Sequence, residues 1–121
     1  MLAGPYAGMV LADLGADVIK VEPPSGDYGR SKGPFLGDEP HPERSAYFLY
    51  YNTNKKSVTL NLETELGRAI FKRLAATADA VVESFPVGYL KGLGLDYETL
   101  REANPGLVMA SVTAFGQEGP W

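Results

Sequence analysis

Apolar positions along this chain follow two rhythms, one helical and one of short β-branched runs. Val10, Leu11 and Leu14 crowd more than one helical face, which predicts a helix covered nearly all round. Pro5 suits the first helical position, where its missing N–H costs nothing. Gly15 follows the last turn, where a residue of positive φ commonly closes a helix. The stretch Asp17-Val18-Ile19-Lys20-Val21 is β-branched at its centre and predicts a strand, which Pro23-Pro24 must end because proline donates to no ladder. Helix, glycine turn and strand make half of a parallel α/β unit.

The same alternation recurs downstream. Ala46 to Asn54, A-Y-F-L-Y-Y-N-T-N, is aromatic and reads as a buried short helix or strand. Ser57-Val58-Thr59-Leu60-Asn61 alternates as a strand does. Thr64 can cap the next helix, with Glu65 in its first turn. Leu66, Ala69, Ile70 and Leu74 share one face of that helix, which runs to about Thr77. Asp79-Ala80-Val81-Val82-Glu83 is a short apolar run of the kind buried in parallel sheets, and it breaks at Ser84-Phe85-Pro86. Asp96 is placed as an N-cap, with Leu95 and Leu100 in the positions of a hydrophobic staple. Asn104-Pro105 stops that helix, and a last strand covers 107–112.

The order helix–strand, strand–helix–strand, helix–strand predicts an α/β fold: an open, mostly parallel sheet of doubly wound type with flanking helices. The architecture is an incomplete Rossmann-like one. A strand should precede the first helix, yet only Met1-Leu2-Ala3 lies ahead of Gly4-Pro5, so either the helix opens the domain or a first strand is lacking. In such sheets ligands gather at the carboxyl ends of the strands. Residues 2–5, 22–26, 83–88 and 113–119 all arrive there, and the helix at Pro5 offers free N–H groups to an anion. A nucleotide-like ligand at one edge is the expectation.

Composition narrows the classes. The 121 residues are 45% hydrophobic and 21% charged, ordinary for one soluble globular unit. Cysteine is absent, which excludes a disulfide frame and a thiolate metal site or nucleophile. A net charge of −4 argues against nucleic acid and against anionic membrane surfaces. No apolar run reaches the ~20 residues of a membrane span, and no basic signal-peptide flank is present, so a cytoplasmic location is expected. Residues 22–45 hold five prolines and four glycines, a long irregular stretch of the functional or mobile kind. His41, between Pro40 and Pro42, is an exposed loop histidine rather than a base, because nothing fixes its ring. Lys56-Ser57 lacks the glycines of a phosphate-binding loop, and the pair Lys55-Lys56 either faces an anionic ligand or forms a solvated edge. Gly92-x-Gly94 does not join a strand to a helix and is no dinucleotide fingerprint.

Five blocks of the sequence resemble a known family. They are L-A-G-P-Y-A-G-M-V-L-A-D-L-G-A-D-V-I-K-V-E-P-P-S-G-D, N-T-N-K-K-S-V-T-L-N-L, A-D-A-V-V-E-S-F-P-V-G, L-G-L-D-Y-E-T-L-R-E-A-N-P-G-L-V and S-V-T-A-F-G-Q-E-G-P. In order and spacing they resemble the class III coenzyme A transferases, the CaiB/BaiF family, which includes formyl-CoA transferase, carnitine CoA-transferase and the α-methylacyl-CoA racemases. N-K-K-S-V-T-L-N-L and V-E-S-F resemble the transferase branch more than the racemase branch. The resemblance implies transfer of CoA between an acyl-CoA and a carboxylic acid, with coenzyme A as substrate and no covalently bound cofactor. It implies an aspartate nucleophile that attacks the thioester, splitting one difficult exchange into easier steps. It also implies interlocked homodimers for full-length members.

By the same resemblance, CoA contacts fall on Leu2 and Ala3, on Leu60, Asn61, Leu62 and Glu63, and on Ser84, Phe85 and Pro86. Phe85 would line the adenine pocket, and backbone near Ala3 and Leu60 would meet the nucleotide. Ser84 stands where asparagine is common, and the basic residues sometimes found at Pro23 and Gly92 are absent; Lys91 would supply the phosphate contact instead. None of Asp13, Asp17, Asp27, Asp38, Asp79 or Asp96 matches the motif of the nucleophile, so no catalytic residue and no metal ligand is assigned. Residues 1–121 are therefore expected to be the N-terminal portion of the family's large domain, truncated at both ends, inactive alone, with a racemase portion or a non-catalytic CoA-binding remnant as alternatives.

Overall fold

Parallel strand pairing organises this chain twice. The computed structural model describes residues 2–119; Met1, and Pro120-Trp121 at the end of the last block, lie outside them. In order come α1 (Ala3–Asp13), β1 (Ile19–Glu22), two 3-10 turns (Tyr28–Ser31 and Leu36–Asp38), α2 (Ala46–Tyr51) and β2 (Lys56–Thr59). Then follow α3 (Glu65–Ala75), β3 (Ala80–Glu83), α4 (Tyr89–Gly92), α5 (Tyr97–Ala103) and β4 (Val108–Ser111). The chain divides into two units, Met1–Leu60 and Asn61–Trp121.

In the first unit β1 and β2 run parallel, from Ile19 opposite Lys56 to Glu22 opposite Thr59. Gly15 takes φ +100° after α1, as its place after the last turn requires, and β1 ends at Glu22 before the two prolines. Gly8, Met9 and Ala12 are the buried positions of α1. The expected all-round cover is not found: Val10, Leu11 and Leu14 are exposed, Leu14 to 81%. Only one side of α1 meets α2, and the other apolar positions meet solvent. The helix also starts earlier than expected, at Ala3, with Pro5 still in the first turn where its N–H is not needed. Of the aromatic run 46–51, Phe48 alone is buried, while Leu49 and Tyr50 are exposed.

In the second unit β3 and β4 pair in parallel from Ala80–Val108 to Glu83–Ser111. Thr64 caps α3 by accepting from Gly67 N–H at 3.1 Å. Leu95 and Leu100 close the staple at α5 and join Ala75, Leu90 and Leu107 in one buried cluster. Each such leucine contributes about 2 kcal/mol by leaving water. Asp96 occupies the N-cap position without bonding the helix backbone; it accepts from the Thr99 hydroxyl at 2.6 Å instead. Asn104, at the end of α5, donates to the carbonyls of Ala75 at 3.0 Å and Ala78 at 2.7 Å, tying the α3 exit to the core.

Two expectations for this unit change. The inward face of α3 runs through Gly67, Phe71 and Ala75, not Leu66 and Ala69; Leu66 is 71% exposed. Gly67 decides this, because its Cα lies so close to Asn61 that a Cβ would stand 1.9 Å from the Asn61 carbonyl oxygen. The β3–β4 pair is covered on one face only, through Val81 and Met109, so Val82 and Val108 stay exposed rather than buried. The strands are thus parallel with flanking helices as expected, distributed over two two-stranded sheets.

Candidate functional site

In the first unit, one buried carboxylate at the carboxyl end of β1 ties β1 to β2 and to the segment that follows β1. Glu22 is 3% exposed. Its Oε2 accepts from Arg30 Nε at 2.7 Å and Asp27 N–H at 3.0 Å; its Oε1 accepts from Arg30 Nη2 at 2.9 Å and the Ser57 hydroxyl at 2.6 Å. Arg30's hydrogen bonds outweigh burial and, with Ser57 and Asp27 N–H, lower the Glu22 carboxyl to about 2. Arg30 also lies 3.8 Å from the Phe48 ring centroid and pairs with Glu43 at 2.7 Å. Burial pushes Asp27 up, but the Lys20 ammonium at 2.7 Å and Gly29 N–H hold it below its usual range.

These bonds change the reading of 22–45. The segment is folded back on the sheet end, with Ser45 fully buried, donating to Gly29 C=O at 2.8 Å and accepting Phe48 N–H at 3.0 Å. A cleft of about 260 Å³ remains, bounded by Glu22, Pro24, Arg30, Glu43, Ser57 and Thr59 among others. A phosphate there would meet two carboxylates, with the arginine already taken by Glu22. Leu2, Ala3 and Leu60 do not line this cleft. His41 is exposed, its Nδ1 accepting Glu43 N–H at 3.1 Å.

Leu2 and Ala3 stand at the start of α1, where Leu2 C=O accepts Tyr6 N–H at 2.9 Å and no side chain caps the helix. The N–H groups of Ala3 and Gly4 have no intrahelical partner. Leu60, half-buried, follows β2 and donates to Glu22 C=O at 2.9 Å. The lysine pair splits. Lys56 is an exposed partner of Asp17 at 2.8 Å. Lys55 is half-buried, and its ammonium donates to Pro5 C=O and Tyr51 C=O, each at 2.7 Å, and to Asn52 Oδ1 at 3.0 Å.

In the second unit, Asn61, Leu62 and Glu63 form a tight turn. Asn61 Oδ1 accepts Glu63 N–H at 3.0 Å, and Arg68 Nη1 donates to Leu62 C=O at 3.1 Å and Glu63 C=O at 2.9 Å. Leu62 packs its side chain on the core, so it offers a ligand backbone alone. At the end of β3, Phe85 N–H donates to Glu83 Oε2 at 2.7 Å, and Ser84 is half-buried. The Phe85 ring stacks on Tyr89 at 4.8 Å and 29°. Tyr89 O–H donates to Glu63, and that hydrogen bond raises the phenol above its ordinary range. Tyr89 therefore joins Glu63 to Phe85, two expected contacts far apart in sequence. Pro86 C=O accepts Tyr89 N–H at 3.0 Å, and Lys91 is exposed on α4, a short helix the sequence pattern missed. Among the described residues Lys91 has no ion-pair partner.

No group of three metal-ligating side chains occurs among the described residues, and no helix there is long and apolar enough to cross a membrane.

Comparison with known proteins adds what geometry alone does not. The model of CoA-transferase family III matches residues 1–121. The chain is 49% identical over 117 residues to subunit BbsE of succinyl-CoA:(R)-benzylsuccinate CoA-transferase from Thauera aromatica, covering 97% of this chain and 28% of that protein. It is 47% identical to human succinyl-CoA:glutarate CoA-transferase, covering 99% of this chain and 27% of that protein. Among solved structures it is similar to a CaiB/BaiF family protein from Brucella suis, with TM-score 0.89 and 48% identity, covering 98% of this chain and 32% of that one. The chain spans less than a third of each of these relatives.

Proposed function

The chain belongs to CoA-transferase family III, and from that premise we propose that it carries part of the coenzyme A site of an enzyme moving CoA between an acyl-CoA and a carboxylic acid. The observation that carries the reading is the Phe85–Tyr89 stack at the end of β3. Phe85 is 38% exposed, and an aromatic ring there suits a purine; Ser84 precedes it with a hydroxyl, and Lys91 adds a cation on the next helix for a phosphate. Within the second unit, backbone in the turn 61–63 adds contacts; the family resemblance separately assigns CoA contacts in the first unit to Leu2, Ala3 and Leu60, where the N–H groups of Ala3 and Gly4 have no intrahelical partner. Pro86 fixes the turn that presents Phe85.

The transferase names of its relatives favour this branch over the racemase one. No aspartate of the described residues is proposed as nucleophile. Asp13 accepts from Asn54, Asp17 pairs with Lys56, and Asp27 is held by Lys20 and Gly29 N–H. The family resemblance puts the carboxylate that attacks the thioester in a block other than these, so what is proposed for these residues is CoA binding. An interlocked homodimer is part of the same proposal for the whole protein; exposed Leu14, Leu66, Val108 and Phe115 support it as apolar surface that an assembly would cover.

Calorimetric titration with acetyl-CoA tests the reading. Phe85→Ala removes a stack of about 1 kcal/mol and should weaken binding roughly fivefold. Equal affinity in Phe85→Ala or absence of binding by the unmodified chain would each contradict the proposal.

A further inference from the structure

Lys55 is not used by the reading above, yet it is the most completely engaged cation in the first unit. It stands in the turn between α2 and β2, half-buried. Its three N–H donors meet three oxygens: Pro5 C=O in the first turn of α1, Tyr51 C=O at the last turn of α2, and Asn52 Oδ1 just beyond. Donors and acceptors match one to one. Gly8 leaves room for the approach, since a Cβ there would stand 3.3 Å from Lys55 Cε and 3.4 Å from Nζ. Pro5 C=O lies two residues beyond Ala3, so the contact fixes the helix turn that carries the N–H groups of Ala3 and Gly4, which have no intrahelical partner.

We propose that Lys55 is a positioning residue: its ammonium clamps the first turn of α1 to the end of α2 and so sets where the backbone at Leu2 and Ala3 stands for its ligand. The inference rests on the reading that this turn meets coenzyme A. The clamp is also responsive to pH. Burial, then the nearby charge of Lys20 on β1, push the ammonium down to about 8, with Asp27 opposing. Tyr6 of α1 and Tyr51 of α2, meeting edge-on at 6.4 Å, with Tyr47 of α2 4.9 Å from Tyr51, are titratable side chains beside this junction. Loss of one proton leaves two donors for three oxygens, so one of the contacts opens.

Nuclear magnetic resonance on the unmodified chain tests this between about pH 6.5 and 9.5, a range below the usual lysine and tyrosine values. The Lys55 side-chain signals should titrate with a midpoint of about 8, and the Ala3, Gly4 and Tyr6 amides should move with the same midpoint. Lys55→Met and Lys55→Arg should each abolish that step, Arg because it keeps its charge throughout and Met because it has none. First-turn amides that stay fixed while Lys55 titrates would overturn the clamp, as would an unchanged step in both variants. Acetyl-CoA, whose thioester does not ionise here, separates the two claims. Affinity that falls severalfold across the step supports the link to the ligand. Affinity unchanged across a step that moves the first turn overturns that link. A step with no acetyl-CoA binding at any pH refutes the coenzyme A reading while upholding the clamp.

Discussion

Replacing Glu22 with Gln isolates the charge at the centre of the first unit. The carboxylate is buried and accepts four hydrogen bonds, two of them from Arg30. Its affinity for a proton falls from an ordinary 4.5 to about 2 on folding. At ~1.4 kcal/mol per tenfold change, ionised Glu22 stabilises the folded unit by about 3 kcal/mol. The folded value is the lower one, so this term is complete above about pH 4.5 and is lost as pH falls through about 2. Urea unfolding of wild type and Glu22→Gln, followed by circular dichroism and by the amide signals of β1, should therefore differ by about 3 kcal/mol at neutral pH. The two should converge towards about pH 2, where wild type has lost its charge as well. A gap that stays constant with pH, or one below about 1 kcal/mol at neutral pH, would refute the assignment of the stabilisation to this ion pair.

Gly67→Ala places a Cβ 1.9 Å from the Asn61 carbonyl oxygen, so α3 or the turn must move; thermal unfolding should register a loss of about 2–3 kcal/mol. Asn104→Ala strips the donors from the Ala75 and Ala78 carbonyls, with an expected cost of about 1–3 kcal/mol by urea unfolding. Ser45→Ala leaves Gly29 C=O and Phe48 N–H without their buried partner; a loss of about 2 kcal/mol and faster amide exchange at Phe48 should follow.

Local chemistry made most of the elements legible. Gly15, Pro23, Thr64 and the Leu95–Leu100 staple act within a few residues of one another, and each sits where its spacing placed it. Burial was less legible, because periodicity marks an apolar face without saying what covers it; Leu14 and Leu66 are exposed for that reason. The α3 face was misplaced because the residue that touches Asn61 is a glycine, invisible to an apolar count. For the proposed site, the family blocks suggested Ser84 and Phe85, but nothing local pointed to Tyr89, whose partner Glu63 lies 26 residues earlier. Arg30 hid similarly in a glycine- and proline-rich stretch, and Lys55 read as one of a pair that either faces an anionic ligand or forms a solvated edge. Each is defined by partners that folding brings from elsewhere in its own unit.

Amide mapping of acetyl-CoA on the 15N-labelled chain tests the central claim most directly. The account predicts shifts at Ala3, at Leu60, Asn61, Leu62 and Glu63, and at Ser84, Phe85 and Lys91, with the cleft beside Glu22 and Arg30 unchanged. Shifts confined to that cleft, or none at saturating ligand, would contradict it.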